Sequence, residues 1–462
     1  MKLNYQNFFF NKIPFYLTFL IPIFLVSGPI LSDLAISICA IIFLINSYKN
    51  NLISYYKNIF FYIFIIFYIY LNISALLSSN VLFSLKTSLP YLRFGIFALS
   101  MWYLLNKNDQ LLKYLFYCFL FVILFLEIDG IYQYINFHNL FHYPLLNNRI
   151  SSFFGDELIL GSFLSRNYPL FLALFFFYFK KNQISEKVIL IFIIVLIFIP
   201  VLVFLSGERS SLFFIILSII FFFLFFNKKI YYIPFLIPIF LIVIGIFFLE
   251  KRFSERIIKE TKIQLTFKTE EKKLLNVFSV EHEGHYRSAI RIFKDNIFLG
   301  AGPRSFRLKC SEEKYLVSTT SCITHPHNTY IQLLSETGLI GFLFIFSIFI
   351  FLCLKCAMMI YYIFFLKNDI DPVKVCLMAS FLITLWPIIP TGNFFHNWLN
   401  VIFYLPVGFF IWTIEKKKSE EIHQLLASYS DPHWKHSGNL LSHNLNMIFR
   451  QHKYDNFRSL FC

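Results

Sequence analysis

His325-Pro326-His327-Asn328-Thr329-Tyr330 stands just ahead of an apolar run that opens at Gly338-Leu339-Ile340-Gly341 and continues to about residue 362. Pro326 biases His325 towards an extended backbone. Asn328 suits the N-cap of a helix beginning at Thr329, and Glu336 with Gly338 marks that helix as short and ended before the apolar run. About 20 mostly apolar residues cross a bilayer, so the run reads as a spanning helix and the histidines sit at a membrane surface facing water. The same ruler, carried outward along the chain, gives about twelve spans: approximately 13–30, 32–48, 58–78, 88–106, 111–131, 157–179, 187–205, 209–226, 230–250, 338–362, 373–391 and 395–414. The expected fold class is an all-α polytopic membrane protein of about 12 transmembrane helices, with one large polar loop between helices 9 and 10.

Composition leads to the same place. With 462 residues, 58% hydrophobic and 21% aromatic, the chain carries more apolar surface than a soluble fold of its size can bury. The 64 Phe are read as span packing and not as ligand stacking. A formal charge of +15 raises nucleic acid as a partner, but the lysines are scattered between apolar runs and not gathered on one face. They read as topology signals, and no nucleic acid is expected.

Lys2, Lys12, Lys49, Lys57, Lys107, Lys113, Lys180, Lys181, Lys187, Lys228, Lys229, Lys367 and Lys374 fall on one side. The opposite short connections hold Lys86, Arg149 and Arg209. By the positive-inside rule both termini are expected in the cytoplasm and the stretch from Lys251 to Thr324 outside. Lys416-Lys417-Lys418 after the last span agrees. The outer stretch opens with mixed charge from Lys251 to Lys273, which suits an amphipathic helix on the membrane within a helical cap. Residues 415–462 are polar and rich in His and Asn, and are expected to form a partly disordered cytoplasmic tail.

The eight cysteines form no disulfide framework. Cys353 and Cys356 lie within a span, where a thiol behaves as a small hydrophobe. Cys310 and Cys322 lie in the outer loop and could pair if that compartment is oxidising. Glu127, Asp129 and Arg166 fall deeper in spans and are expected to pair with one another between helices.

Four arginines on the outer side stand apart from the lysines: Arg149, Arg209, Arg287 and Arg304. A guanidinium stays ionised when partly desolvated and grips phosphate through a planar fork of donors, which an ammonium cannot do. A phosphate at the membrane surface is the expected partner. Lipid headgroups or Glu157, Glu208 and Glu283 are the competing partners. His327 could take a proton from a hydroxyl, since imidazole titrates near physiological pH. His325 and His327 have no third ligand at metal spacing, so no metal is expected.

His327-Asn328, nine residues, then Gly338, two residues and Gly341 resembles the signature of the O-antigen ligase and polymerase superfamily of bacterial inner-membrane proteins. Arg149 with Ser151 to Gly155 is similar to that family's early Arg-x-x-G-x-F segment, with Ser152 where glycine is common. Ser206 to Ser211 resembles its Ser-Arg element, and Arg287 through Gly300-Ala301-Gly302 to Phe306 resembles its Arg, G-x-G, Phe segment. The motifs cover about residues 145–345.

The resemblance implies a metal-independent, GT-C-like glycosyltransferase, with residues 1–414 as its transmembrane domain and 251–327 as its periplasmic loop. It implies a glycan donor linked to undecaprenyl diphosphate, no cofactor, and contact with membrane lipids. His327 would be the general base; Arg209, Arg287 and Arg149 would bind the diphosphate; Asn328, His325, Gly338, Gly341 and Arg304 would support them. The acceptor would be lipid A core in a ligase, or a second lipid-linked glycan in a polymerase. The rival class is a flippase, which should show internal repeats and a charged central path; neither is seen in the sequence.

Overall fold

The computed structural model describes residues 8–181, 184–226, 279–367 and 369–429, together with short pieces between 240 and 275. The chain is a helical membrane protein. Among the described residues, seven helices are long and apolar enough to cross a bilayer, or eight if the pair bent by 54° near the N-terminus counts as one broken span.

In chain order the described helices are α1 (Ile13–Phe19), α2 (Ile21–Ser27), α3 (Pro29–Asn50), α4 (Ile59–Leu76), α5 (Val81–Ser88), α6 (Leu92–Lys107), α7 (Gln110–Asn136), α8 (Leu160–Lys181), α9 (Glu186–Leu205) and α10 (Arg209–Phe225). After these come α11 (Val280–Asp295), α12 (Phe306–Lys309), α13 (Thr329–Phe364), α14 (Pro372–Thr384) and α15 (Asn397–Tyr429). Their ends follow local chemistry. Asn58 and Asp371 cap α4 and α14 through side-chain oxygens that accept from Phe61 and Val373 N–H. Pro29 opens α3 at its first turn, and Asn51 closes it in the left-handed region.

Eleven of the twelve expected spans coincide with these helices, and the remaining one, 230–250, falls mostly outside the described residues. Three are shorter than the span rule requires: α6 has 16 residues, α10 has 17 and α14 has 13. The expected span 373–391 stops at Thr384 because Pro387 and Pro390 cannot continue the helix ladder. From there the chain runs on as a loop, and that loop reaches the histidines.

Two further expectations are corrected. Thr266–Lys268, inside the stretch read as an amphipathic helix, and Lys273–Leu275, at its end, pair as antiparallel strands β1 and β2. The last helix does not end near residue 414 but carries on to Tyr429, so the tail begins helical.

The main core is a continuous apolar cluster across the bundle, fastened near one end by the Arg93–Asp33 ion pair at 2.7 Å and by Asn397 Nδ2 donating to Asp33 at 3.1 Å. A second cluster, Ala289, Ile292, Ala301, Phe306, Cys310 and Tyr315, lies beneath α11 and α12. Cys310 and Cys322 are joined by a disulfide that closes this small lobe. The lobe is stitched to α13 through backbone: Ala301 and Gly302 N–H donate to Ser335 and Glu336 carbonyls at 2.9 Å, and Leu339 N–H donates to Ile297 at 2.7 Å. This approach needs glycine on both sides. Gly338 breaks α13 with φ 67° and ψ −170°, and a Cβ there would lie 2.6 Å from Gly300 N; Gly300 itself has φ 71°.

Asp129, Arg166 and Glu127 do not pair with one another. Asp129 accepts from Leu140 N–H and Ser152 Oγ, so it holds the 137–155 loop. Arg166 donates to Ser162 Oγ at 3.2 Å and lies over the Phe214 ring, while Glu127 Oε1 is buried without a hydrogen-bond partner.

Candidate functional site

Asn328 caps α13 as its sequence position suggests: Oδ1 accepts from Tyr330 N–H at 3.0 Å and Ile331 N–H at 3.1 Å. Its Nδ2 donates to the Pro387 carbonyl at 2.8 Å. The residue before it, His327, takes a left-handed φ of 55°, and its carbonyl accepts from Thr391 N–H at 2.8 Å. The loop after α14 thus clamps the main chain at 327, and Gln332 Nε2 to Asn393 Oδ1 at 2.8 Å adds a second tie.

Helix α11 brings more imidazoles. Ser279 caps it, accepting from His282 N–H, and Glu281 and Glu283 occupy its first turn where negative charge is favoured. His282, His285, Tyr286 and Ala289 recur at helical spacing on one face. The His327 ring centroid lies 4.2 Å from His325, 5.4 Å from His282 and 5.8 Å from His285. His285 is buried and its Nδ1–H donates to the Ser321 carbonyl at 3.1 Å. That bond fixes its proton on Nδ1 and leaves Nε2 as acceptor in the neutral ring.

Burial first, and then neighbouring groups, lower the pKa values of His282, His325 and His327 below the ordinary imidazole value. Burial, followed by the charges of His327, His285 and Arg209, holds His282 down at about 4. His325 is pushed to about 3 by burial and then by His327, His396, Arg307 and His285. His327 lies below the ordinary imidazole value, mainly through burial and then through His285; a hydrogen bond to the Thr391 backbone and the charge of Glu281 work the other way. A neutral imidazole is the proton-accepting form.

The guanidiniums divide into two sorts. Arg209 opens α10 and acts electrostatically on His282, which in turn neighbours His327, so Arg209 and His327 share one neighbourhood. Its position is set by the preceding Glu208, whose carboxylate accepts from Gly161 and Ser162 N–H at the start of α8 at 2.8 and 3.0 Å. Arg304, on the turn after Gly302, and Arg307, in α12, act electrostatically on His396, whose pKa burial and then these cations depress against an opposing pull from Glu157. Arg307 also acts on His325.

Arg149 and Arg287 depart from the expectation. Arg149 gives Nε to the Ser206 carbonyl at 2.7 Å and a terminal nitrogen to Leu158 at 3.0 Å, so these donors hold loops together. Arg287 is 65% exposed and pairs with Glu283 at 2.9 Å along α11, off the face that carries His282 and His285. Gly338 and Gly341 serve packing: Gly338 lets the lobe approach, and a Cβ on Gly341 would crowd the Thr337 side chain. His282, His285, His396 and Arg307 were not singled out from the sequence; the i, i+3 histidine pair on an amphipathic segment was the available signal for the first two. Among the described residues no three His, Cys, Asp or Glu side chains are arranged to hold a metal ion.

The bundle also encloses a cavity of about 1510 Å³. Phe64, Phe67, Phe344, Ile348, Phe381 and Phe403 line its length. Thr329, Thr391 and Asn393 line the end next to His327, and Lys374 and Lys416 lie at the other end of α14 and α15. It exceeds the roughly 300–1,000 Å³ of a drug-sized pocket, and its apolar walls suit a long hydrocarbon chain.

The chain is a polytopic helical membrane protein that holds a cluster of imidazole and guanidinium groups close to the Thr329 and Thr391 end of a large, mostly apolar cavity. Residues 192–346, 155 of the 462, match the family model described as O-Antigen ligase. The resemblance to the O-antigen ligase superfamily is borne out over that third of the chain, which contains Arg209, Arg287, Arg304, His327, Gly338 and Gly341. The match supports lipid-linked glycan transfer in lipopolysaccharide assembly and an enzyme of the O-antigen ligase or polymerase kind. No curated protein matches the chain.

Proposed function

We propose that the protein transfers a glycan from undecaprenyl diphosphate to an acceptor hydroxyl at the periplasmic face of the inner membrane, joining O-antigen to lipid A core. The observation that carries this reading is the ring contact of His327 with His282, on which the charge of Arg209 acts, next to Thr329 and Thr391, which line the cavity. In the reaction, His327 takes the proton of the acceptor hydroxyl as its oxygen attacks the anomeric carbon. The bond from that carbon to the diphosphate oxygen breaks, and the electron pair leaves with the lipid diphosphate. Arg209 meets the charge that develops there, a task guanidinium performs without a divalent ion. The polyprenyl chain occupies the cavity.

A transfer assay in membranes, with donor and purified acceptors, tests the reading on wild type and His327→Ala. General-base catalysis is typically worth 10²–10⁴-fold, so transfer should fall by roughly that factor with the protein still present. Unaltered transfer by His327→Ala removes the base assignment. Movement of the glycan across the membrane without a new bond would make the protein a flippase. Supplying lipid A core and a second lipid-linked repeat unit separately distinguishes a ligase from a polymerase, and a product only with the second repeat unit would overturn the ligase reading.

A further inference from the structure

The turn Gly302-Pro303-Arg304-Ser305-Phe306-Arg307 carries two cations whose local pairing is incomplete. Nε of Arg304 and Nε of Arg307 are both buried without a hydrogen-bond partner. The backbone beneath them is held firmly: Glu336, fully buried, accepts from Arg304 N–H at 3.0 Å and Phe306 N–H at 3.1 Å, and from Gln332 Nε2 at 2.9 Å. Glu336 therefore spends its oxygens on the main chain and on Gln332, not on the guanidiniums. Its charge still acts on Arg304, yet burial and repulsion from Arg307 outweigh it and draw the Arg304 pKa below the usual arginine value. Two like charges held together with orphaned donors cost free energy unless an anion completes them.

We infer that Arg304 and Arg307, with His396 beside them, form a phosphate-binding subsite separate from the one at Arg209. The neighbours of each cation separate the two. Arg209 bears on His282, whereas Arg304 and Arg307 bear on His396, and Arg307 also on His325. His327 is in ring contact with His282, on which Arg209 acts, and with His325, on which Arg307 acts. A base must stand beside the incoming hydroxyl while the leaving diphosphate departs on the far side. If Arg209 takes the diphosphate, the second pair falls on the acceptor's side and holds a phosphate that the acceptor carries. That assignment of the source rests on the proposed transfer reaction; the anion site itself rests on the orphaned donors.

The test uses the purified full chain in nanodiscs, titrated calorimetrically with inorganic pyrophosphate, for wild type, Arg304→Gln, Arg307→Gln, Arg307→Lys and the surface control Lys314→Gln. The glutamine variants should lose at least tenfold in affinity. Arg307→Lys, which keeps charge and stem but lacks the fork, should fall between, and Lys314→Gln should match wild type. Equal pyrophosphate affinity in wild type and both glutamine variants overturns the subsite, as does an equal loss in Lys314→Gln. Transfer kinetics then name the source: a raised KM for acceptor with donor KM unchanged supports the assignment, and a raised donor KM moves the phosphate to the donor. If neither KM moves, the anion site has no part in the reaction and the proposal fails. Should wild type transfer nothing, the transfer reading fails, while the pyrophosphate titration still decides the subsite.

Discussion

Replacing Gly338 by alanine tests the joint between the disulfide lobe and α13. At φ 67° and ψ −170° the residue sits in a region that is essentially restricted to glycine, and an L side chain there costs about 1–3 kcal/mol. The added Cβ would also meet the Phe298 carbonyl and stand 2.6 Å from Gly300 N, both of them backbone that cannot rotate away. Forcing such a contact apart adds about 1–3 kcal/mol. The combined loss is therefore about 2–6 kcal/mol. Gly28 separates the two contributions, because it has φ 125° and ψ 172° but no atom within 4 Å of the place a methyl group would take. Gly28→Ala should cost only the conformational part, about 1–3 kcal/mol. Unfolding of both purified variants by SDS titration in mixed micelles, followed by tryptophan fluorescence, measures the difference. If Gly338→Ala loses no more stability than Gly28→Ala, the two backbones do not meet as described.

Four more outcomes are expected. Because burial and His285 hold His327 below the ordinary imidazole value, its neutral form persists as pH falls, and the acid limb of kcat/KM for transfer should have an apparent pKa under 6.5; a limb above 6.5 would contradict it. His282 at about 4 and His325 at about 3 stay neutral when folded but take up protons near 6.5 when unfolded, so stability is complete above about 6.5 and declines as pH falls from there towards about 4. SDS titrations at pH 7.5 and 5 should show this, and His282→Gln should flatten it. Arg149→Ala leaves the Ser206 and Leu158 carbonyls without their charged donors, each such bond being worth about 1.5–3 kcal/mol, and should reduce the folded yield; an unchanged SDS midpoint would refute that role. Cys310 and Cys322 should resist maleimide until a reductant is added, and opening their bridge should cost about 2–4 kcal/mol.

Seven or eight of the twelve expected spans were legible because lipid leaves a long apolar run few alternatives, and Asn328 and Gly338 were legible because capping and left-handed geometry each select a residue type. The end of α14 was misjudged where apolar content continued past the point at which Pro387 halts the helix. The arginines were harder to read, for a physical reason. Residue type says that a guanidinium seeks oxygen, but not whether a carbonyl or a substrate supplies it; Arg149 found Ser206 and Leu158. Arg287 follows His282 by five residues, which turns it roughly 140° around the helix from that histidine. His396 lies in a loop distant in sequence from the other histidines, and only the folding of that loop against α13 brings it near.

The clamp on the main chain at 327 makes this position separable from the scaffold that carries it. Thr391 and Asn328 secure the backbone there, and the ring lies against those of His282, His285 and His325. Asparagine tolerates the left-handed backbone that His327 adopts better than alanine does. His327→Asn is thus the exchange that removes the imidazole while sparing the backbone, and under the proposed transfer reaction it would give an arrested protein on which both substrates can be captured side by side.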